Sequence, residues 1–364
     1  MASSVIAADV EEIGARAAED LAFFDGKTVL VTGGAGFLPA YLVDVLAARA
    51  AGRPAGKQPR IVVAENFMTG LPSRLAHLEG HSAVEIRNID VSRPLSLDRA
   101  PQVVIHGASI ASPIAYRRSP LETIEVNAMG TQHLLAATAA TSRLSAFVLL
   151  SSSEVYGDPD PAFIPTPETY PGRVSFTGPR ACYDESKRLA ETLCMTYFRT
   201  HRTPVRIVRP FNVYGPGLRL DDGRLVPDLA RAALLGRDLV LYSDGTPTRS
   251  LCYVTDFVVG MLRVIARGKD GEAYNVGNDR EIPVRDLAAA MARAAGGAGS
   301  VRVARSDDPD YLTDNPQRRC PNLARLRALG ATVGTVDLER GLGRYLAWAR
   351  EAGELERVTA KDAS

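Results

Sequence analysis

Thr28-Val29-Leu30-Val31-Thr32 runs straight into Gly33-Gly34-Ala35-Gly36, and a helical pattern follows from 37 to 51. A strand that hands over to a helix through glycines leaves few architectures open. The strand must be buried, the turn must let another backbone or a ligand come close, and the helix must pack back onto the sheet. Five more apolar runs repeat the first, at 60–64, 83–89, 103–105, 146–150 and 205–208, with further helical patterns at 120–141 and 183–200. Strands alternating with helices predict a parallel sheet covered on both faces, an α/β fold of the Rossmann-type, doubly wound kind. After Pro210 the pattern loosens into a helix at 226–235, a strand at 239–242 and helices at 256–266 and 284–295. We expect residues 27–210 to form the Rossmann domain and 211–352 a smaller C-terminal substrate-binding domain, with some crossing of the chain between them. Residues 10–24 read as an amphipathic helix, with Ile13, Ala17, Leu21 and Phe24 on one side and Glu11, Glu12, Glu19 and Asp20 on the other. Residues 1–26 are therefore expected as a helical extension packed on the body, and the polar stretch 353–364 as a frayed tail.

Glycines at such a turn let the backbone approach a pyrophosphate, and the first helical N–H groups, which lack intrahelical partners, point at it. Gly33, Gly36, Phe37 and Leu38 are the candidate contacts. The second apolar run leads to Glu65, where a carboxylate can accept from adenosine ribose hydroxyls, with Asn66 beside it. No Arg or Lys stands in Glu65-Asn66-Phe67-Met68 to receive a 2′-phosphate, so NAD is expected over NADP. Asp90 and Val91 close the third run, at the place of an adenine contact. Pro39 stands where a third glycine is expected. Proline is tolerated in a first helical turn, so a local shift of the helix with retained binding is expected.

Tyr183 and Lys187 stand four residues apart at the head of the 183–200 pattern, and so share one helix face. An ammonium beneath a phenol favours its ionised form, which makes tyrosine usable as a base near neutral pH. Beside a nicotinamide, that pair is half of a hydride-transfer site.

Bulk properties remove other classes. The formal charge of +1 gives no reason to expect nucleic acid as a partner. No stretch approaches the roughly 20 apolar residues of a membrane span, and the N-terminus has no secretory pattern. The four cysteines (Cys182, Cys194, Cys252 and Cys320) are scattered, without a Cys-x-x-Cys pair or a His at ligand spacing. They read as thiols of a reducing, cytoplasmic compartment, with no metal site and no catalytic role. His106, ending a strand beside Gly107, reads as a packed, hydrogen-bonded histidine, and Asn127 as a structural residue or a cofactor contact.

With Gly33–Gly36, Tyr183 and Lys187 in this order, residues 27–346 resemble the extended short-chain dehydrogenase/reductases that modify nucleotide sugars, the NAD-dependent epimerase/dehydratase family. Within that family, Ser151-Ser152-Ser153-Glu154-Val155-Tyr156-Gly157, 178–187, Asp222-Gly223-Arg224, Thr248-Arg249-Ser250 and Gln317-Arg318-Arg319 look most like UDP-glucuronate decarboxylases. His106-Gly107-Ala108-Ser109 with Ser112-Pro113 follows the same pattern, with Ile110 in place of its usual proline. Ser153-Glu154 differs from the Thr-Asp-Glu of dTDP-glucose-type 4,6-dehydratases, and galactose-type 4-epimerases usually have no acid at the Glu154 position. GDP-mannose dehydratases share Ser-Glu, so dehydratase and 4-epimerase readings stay open.

The resemblance implies roles. Tyr183 would take the proton from the sugar C4 hydroxyl while hydride passes to NAD, Lys187 would lower the phenol's pKa and hold the nicotinamide ribose, and Ser152 would align the C4 oxygen. A β-keto acid formed from a glucuronate can then lose carbon dioxide. Of Glu154 and Arg319, one would steer that loss and the other direct reprotonation at C5. Asn212 and Arg249 are implied at the diphosphate, Arg224 and Tyr242 around ribose and uracil, and Ser153 and Arg180 in the substrate site. The resemblance also implies a homodimer through the helices at 120–141 and 183–200. A reading of another class is a catalytically silent NAD-binding interaction protein, against which intact Ser152, Tyr183 and Lys187 stand.

Overall fold

The computed structural model describes residues 3–95, 100–139, 143–297, 299–306, 313 and 315–362. Six strands occupy the six apolar runs: β1 (Thr28–Thr32), β2 (Arg60–Glu65), β3 (Val84–Asn88), β4 (Val103–His106), β5 (Ala146–Leu150) and β6 (Val205–Pro210). A seventh, β7 (Glu272–Val276), completes one parallel sheet in the order β7-β6-β5-β4-β1-β2-β3. Alternate residues of each strand go to opposite faces. Val29, Val31, Ile61, Val63, Val103 and Ile105 join one buried cluster, and Leu30, Ala64, Val104, Phe147 and Leu149 join another on the far side. Full burial of each such side chain contributes about 1.5–3 kcal/mol, so both faces resist a one-residue slip. The strand order reverses between β1 and β4, and at that switch point the chain ends of the two strands part to leave a crevice.

β7 was not anticipated: Gly271 and Gly277 bracket the segment, and only its pairing with β6 makes it a strand. It carries the later part of the chain back into the parallel sheet, beside β6. The other C-terminal elements are small sheets and helices, some of whose residues (Arg224, Arg249 and Arg319 among them) share a cleft with residues that follow β1, β4 and β5. One is a three-stranded sheet with Thr248–Ser250 between Glu281–Pro283 and Arg318–Arg319.

Three expected elements differ. The 120–141 helix is interrupted by a π-turn, Glu125–Met129, between Pro120–Ile124 and Gly130–Ala139, and its expected end falls at 140–142, outside the described residues. Asn127 sits in that turn and donates to Ser186 Oγ at 2.9 Å. The N-terminal helix begins earlier, at Ser4–Arg16, and breaks at Ala17 before two short turns; Ile13, Ala17, Leu21 and Phe24 are buried as expected. Asp20, expected on an exposed acidic face, is instead buried, accepting from Arg263 and Arg267 at 2.6 Å each. The expected frayed tail is a helix, Glu354–Asp362. Glu354 Oε2 accepts from Leu220 N at 3.2 Å and Arg357 reaches Asp221 at 3.0 Å, so distant partners add to the Arg357–Glu354 pair within the helix in holding a polar segment.

Candidate active site

Gly33 turns with φ +68°, and a Cβ there would lie 2.6 Å from Ala108 Cα, so the β1 turn rests directly on the backbone after β4. Gly36 then caps the helix Phe37–Ala51. Pro39 occupies its third position without loss of an intrahelical bond, because the first bond of the helix is Ala40 N to Gly36 O at 3.1 Å. These backbone groups fit a dinucleotide pyrophosphate: a close-approach glycine and the unpartnered first-turn N–H groups of a fifteen-residue helix.

Glu65 is turned inward. Its Oε2 accepts from Ala35 N at 3.0 Å and its Oε1 from Phe67 N at 2.8 Å, so it ties the glycine turn to the loop after β2. A carboxylate has lone pairs left for ribose hydroxyls. Asn66 Oδ1 accepts from Met68 N at 3.0 Å. Asp90 is exposed and accepts from Ser92 N at 2.9 Å, whereas Val91 is buried.

The chemistry-bearing residues converge in one cleft of about 1340 Å³, lined by Gly36, Phe37, Leu38, Ser152, Ser153, Glu154, Arg180, Tyr183, Lys187, Asn212, Arg224, Tyr242, Arg249 and Arg319. Gly33, Glu65, Asn66, Asp90 and Val91 are not among the lining residues. The cleft sits where the sheet order reverses, so the glycine turn and the Tyr183 helix face each other across it.

Tyr183 and Lys187 share one face of the helix Ala181–His201, both nearly buried. Burial pushes the Tyr183 phenol up to about 12; a hydrogen bond from Ser152 and the Arg224 charge pull it back in part, and Glu154 and Asp184 oppose them. Lys187 is not among the largest influences on this phenol. Its Nζ donates to Leu150 O at 2.9 Å and lies 5.8 Å from the centre of the Tyr183 ring, because the carbonyl at the end of β5 captures it. Burial presses the Lys187 ammonium down to about 8, against the raising influence of Glu191. Ser152 caps the turn Ser153–Tyr156, its Oγ accepting from Glu154 N at 3.2 Å.

Glu154 is the charge centre. Burial alone would raise its carboxyl, but Arg180 and Arg319, with Arg249 beyond, hold it down at about 2. The contacts are 2.6 Å from Arg180 Nη2 to Oε2 and 2.6 Å from Arg319 Nη1 to Oε1. Arg319 runs parallel to Arg249, residue against residue, which brings two guanidinium side chains to one wall. Arg249 is fixed by Thr248 O at 2.7 Å and Asn315 Oδ1 at 3.0 Å. Asn212, at φ +41°, donates to Ser250 O at 3.3 Å. Arg224, implied near the uracil, donates to Ala111 O at 2.8 Å and acts on Tyr183. Tyr242 stays about one-third exposed at the rim.

Sequence reasoning missed Tyr116. Its ring stacks on Tyr183 at 5.1 Å and 15°, and the Arg180 guanidinium lies 6.0 Å from its centre. Its position after Ser112-Pro113 is the one signal that could have drawn attention to it. Beneath the site, Ser151 Oγ and the Arg209 guanidinium both bond Glu191, a network equally invisible in sequence. His106 is a packed histidine, as read: burial, then Lys187, drop it to about 3, and its Nδ1 lies 2.8 Å from Thr32 Oγ1.

Known proteins of the same build carry the comparison further. UDP-glucuronic acid decarboxylase 3 of Arabidopsis thaliana is 37% identical over 317 residues, covering 86% of each chain. UDP-glucuronic acid decarboxylase 1 of Xenopus tropicalis is 35% identical over 91% of this chain and 74% of that protein. The crystal structure of DesIV, a dTDP-glucose 4,6-dehydratase of Streptomyces venezuelae with NAD bound, superposes with a TM-score of 0.76 at 26% identity, over 89% of this chain and 97% of that one. The model of the NAD dependent epimerase/dehydratase family matches residues 29–277, from β1 through β7, and the chain belongs to that family.

Proposed function

We propose that this protein is an NAD-dependent nucleotide-sugar decarboxylase that converts UDP-glucuronate to UDP-xylose through a UDP-4-keto intermediate. The observation that carries this reading is Glu154 held ionised between Arg180 and Arg319, in the same cleft as Ser152, Tyr183 and Lys187. The similarity to UDP-glucuronic acid decarboxylases over most of the chain supports it.

Gly33–Leu38 would hold NAD, which would supply the acceptor and later the donor of the C4 hydride. Tyr183 takes the C4 hydroxyl proton as hydride leaves, and Ser152 steadies that oxygen. The phenol must ionise to do so, and Ser152 and Arg224 already pull in that direction. Oxidation at C4 places a ketone β to the sugar carboxylate, so carbon dioxide can leave and the electrons delocalise into the ketone. Glu154, ionised and without a proton to give, suits the decarboxylation step through repulsion of the like-charged substrate carboxylate; C5 then takes a proton from solvent, on the face that Arg319 directs. Tyr183 finally returns its proton to the C4 oxygen. Asn212 and Arg249 are assigned to the diphosphate, Arg224 and Tyr242 to the nucleoside end, and Glu65, Asn66, Asp90 and Val91 to the adenosine of NAD.

Mass spectrometry of an incubation with UDP-glucuronate and NAD tests this directly. The sugar nucleotide should lose the mass of one carbon dioxide. Loss of water points to a 4,6-dehydratase, an unchanged mass with altered stereochemistry to a 4-epimerase, and either outcome overturns the proposal.

Two further assignments belong with it. Leu121 (70% exposed), Ile124 (42%) and Leu189 (47%) are large apolar side chains facing outward from the packed helices Pro120–Ile124 and Ala181–His201. Such a face suits a second copy of the chain, and sedimentation should return a homodimer; a monomer removes this assignment. The four free thiols suit a reducing, cytoplasmic compartment.

A further inference from the structure

The third glycine expected of this nucleotide turn is absent, and a glycine just after β4 stands against its place. Pro39 stands at the position of the third glycine, and its ring is buried. A Cβ on Gly107 would lie 2.6 Å from Pro39 Cγ, 3.1 Å from Leu150 Cδ1 and 3.2 Å from Thr32 O. Gly107 has no left-handed backbone angle, so its lack of a side chain serves space and not conformation. Pro39, Gly107 and Leu150 all line the cleft. We propose that Pro39 and Gly107 are a size-matched positioning pair: the missing side chain at Gly107 receives the Pro39 ring and sets how closely the Phe37–Ala51 helix approaches the sheet.

The consequence reaches both halves of the site. Close approach of that helix fixes where the N–H groups of Gly36, Phe37 and Leu38 stand relative to a pyrophosphate. The same Cβ would press on the side chain of Leu150, whose carbonyl holds the Lys187 ammonium. A methyl group at Gly107 must therefore displace the helix, the end of β5, or both. The side chains can give only by a few tenths of an ångström in a packed interior. The inference rests on the turn as the NAD site and is independent of the chemistry at the sugar.

A double-mutant cycle tests it, with Gly107→Ala, Pro39→Ala and both together. The readouts are NADH affinity by fluorescence titration and the thermal midpoint. Pro39→Ala keeps a Cβ and removes only the ring atoms that fill the gap, so NADH affinity should change less than about threefold. Gly107→Ala should weaken NADH binding by about tenfold and lower the midpoint. In the Pro39→Ala background the same alanine should cost far less in both readouts, because the 2.6 Å contact is gone. If Gly107→Ala does not fold, recovery of a folded, NADH-binding protein in the double variant supports the pair, and failure of both overturns it. Equal costs of Gly107→Ala in the two backgrounds also overturn it. If the parent protein binds no NADH, the NAD reading fails, while coupling in the midpoint still decides the packing.

Discussion

The two ends of the cleft are built on opposite principles. At the cofactor end, Gly33, Gly36, Phe37 and Leu38 are consecutive or nearly so, and their contribution is backbone: N–H groups and room for close approach. At the sugar end, Glu154, Arg180, Arg249 and Arg319 come from four separate stretches, and their contribution is charge. The first is built on one strand, one turn and one helix, seated against Glu65, Gly107 and Ala108. The second needs the whole fold before any of its ion pairs exists. Substitutions at the sugar end should therefore change chemistry and stability together, whereas side chains behind the cofactor turn should be more tolerant.

The largest effect is expected between the two ends. Tyr183→Phe removes the base while leaving the ring stacked on Tyr116, so turnover should fall by about 10³-fold or more. NADH affinity should stay close to that of the parent. Unchanged turnover would break the catalytic reading and revive a silent NAD-binding protein.

Glu154→Gln should combine a loss of turnover with a loss of stability. Removing one partner leaves Arg180 and Arg319 buried without their counter-ion, at a cost of about 3 kcal/mol in chemical denaturation. The variant also changes the acid response. The Glu154 pKa is depressed to about 2 from an ordinary 4.5, so its stabilisation is present above pH 4.5 and is lost as pH falls toward 2. The parent should lose stability across that window more steeply than the glutamine variant, as urea midpoints at several pH values will show. Parallel curves would mean that the arginines do not hold this carboxyl as described.

The smallest effect sharpens the contrast from the cofactor side. Asp90 is exposed and its carboxylate is satisfied by Ser92 N and Oγ at 2.9 and 2.7 Å. Asp90→Ala should weaken NADH binding by less than about threefold, since it removes a single solvent-exposed contact at the adenosine edge and loosens a surface turn. A tenfold loss in titration would make the cofactor end as dependent on side-chain charge as the sugar end.

Much of this was legible before folding, for a physical reason visible in particular residues. Thr28–Thr32 is wholly apolar or β-branched and must be buried; the glycines after it and the Tyr183–Lys187 spacing are local features with local consequences. Asp20 and Glu354 were misread because their partners, Arg263, Arg267 and Leu220, are hundreds of residues or many elements away. Tyr116 was missed because nothing in its own segment announces a ring stacked on Tyr183.

By itself, then, the sequence determined the strand periodicity, the glycine turn and the helix face that carries Tyr183 and Lys187, since each is set by neighbours within a few positions. Only the tertiary structure decided that Lys187 is held by Leu150, that Glu154 is ionised between Arg180 and Arg319, and that Gly107 makes room for Pro39. Those facts depend on distances between strands and loops far apart in the chain, and on the loss of water around charges, which no local pattern encodes.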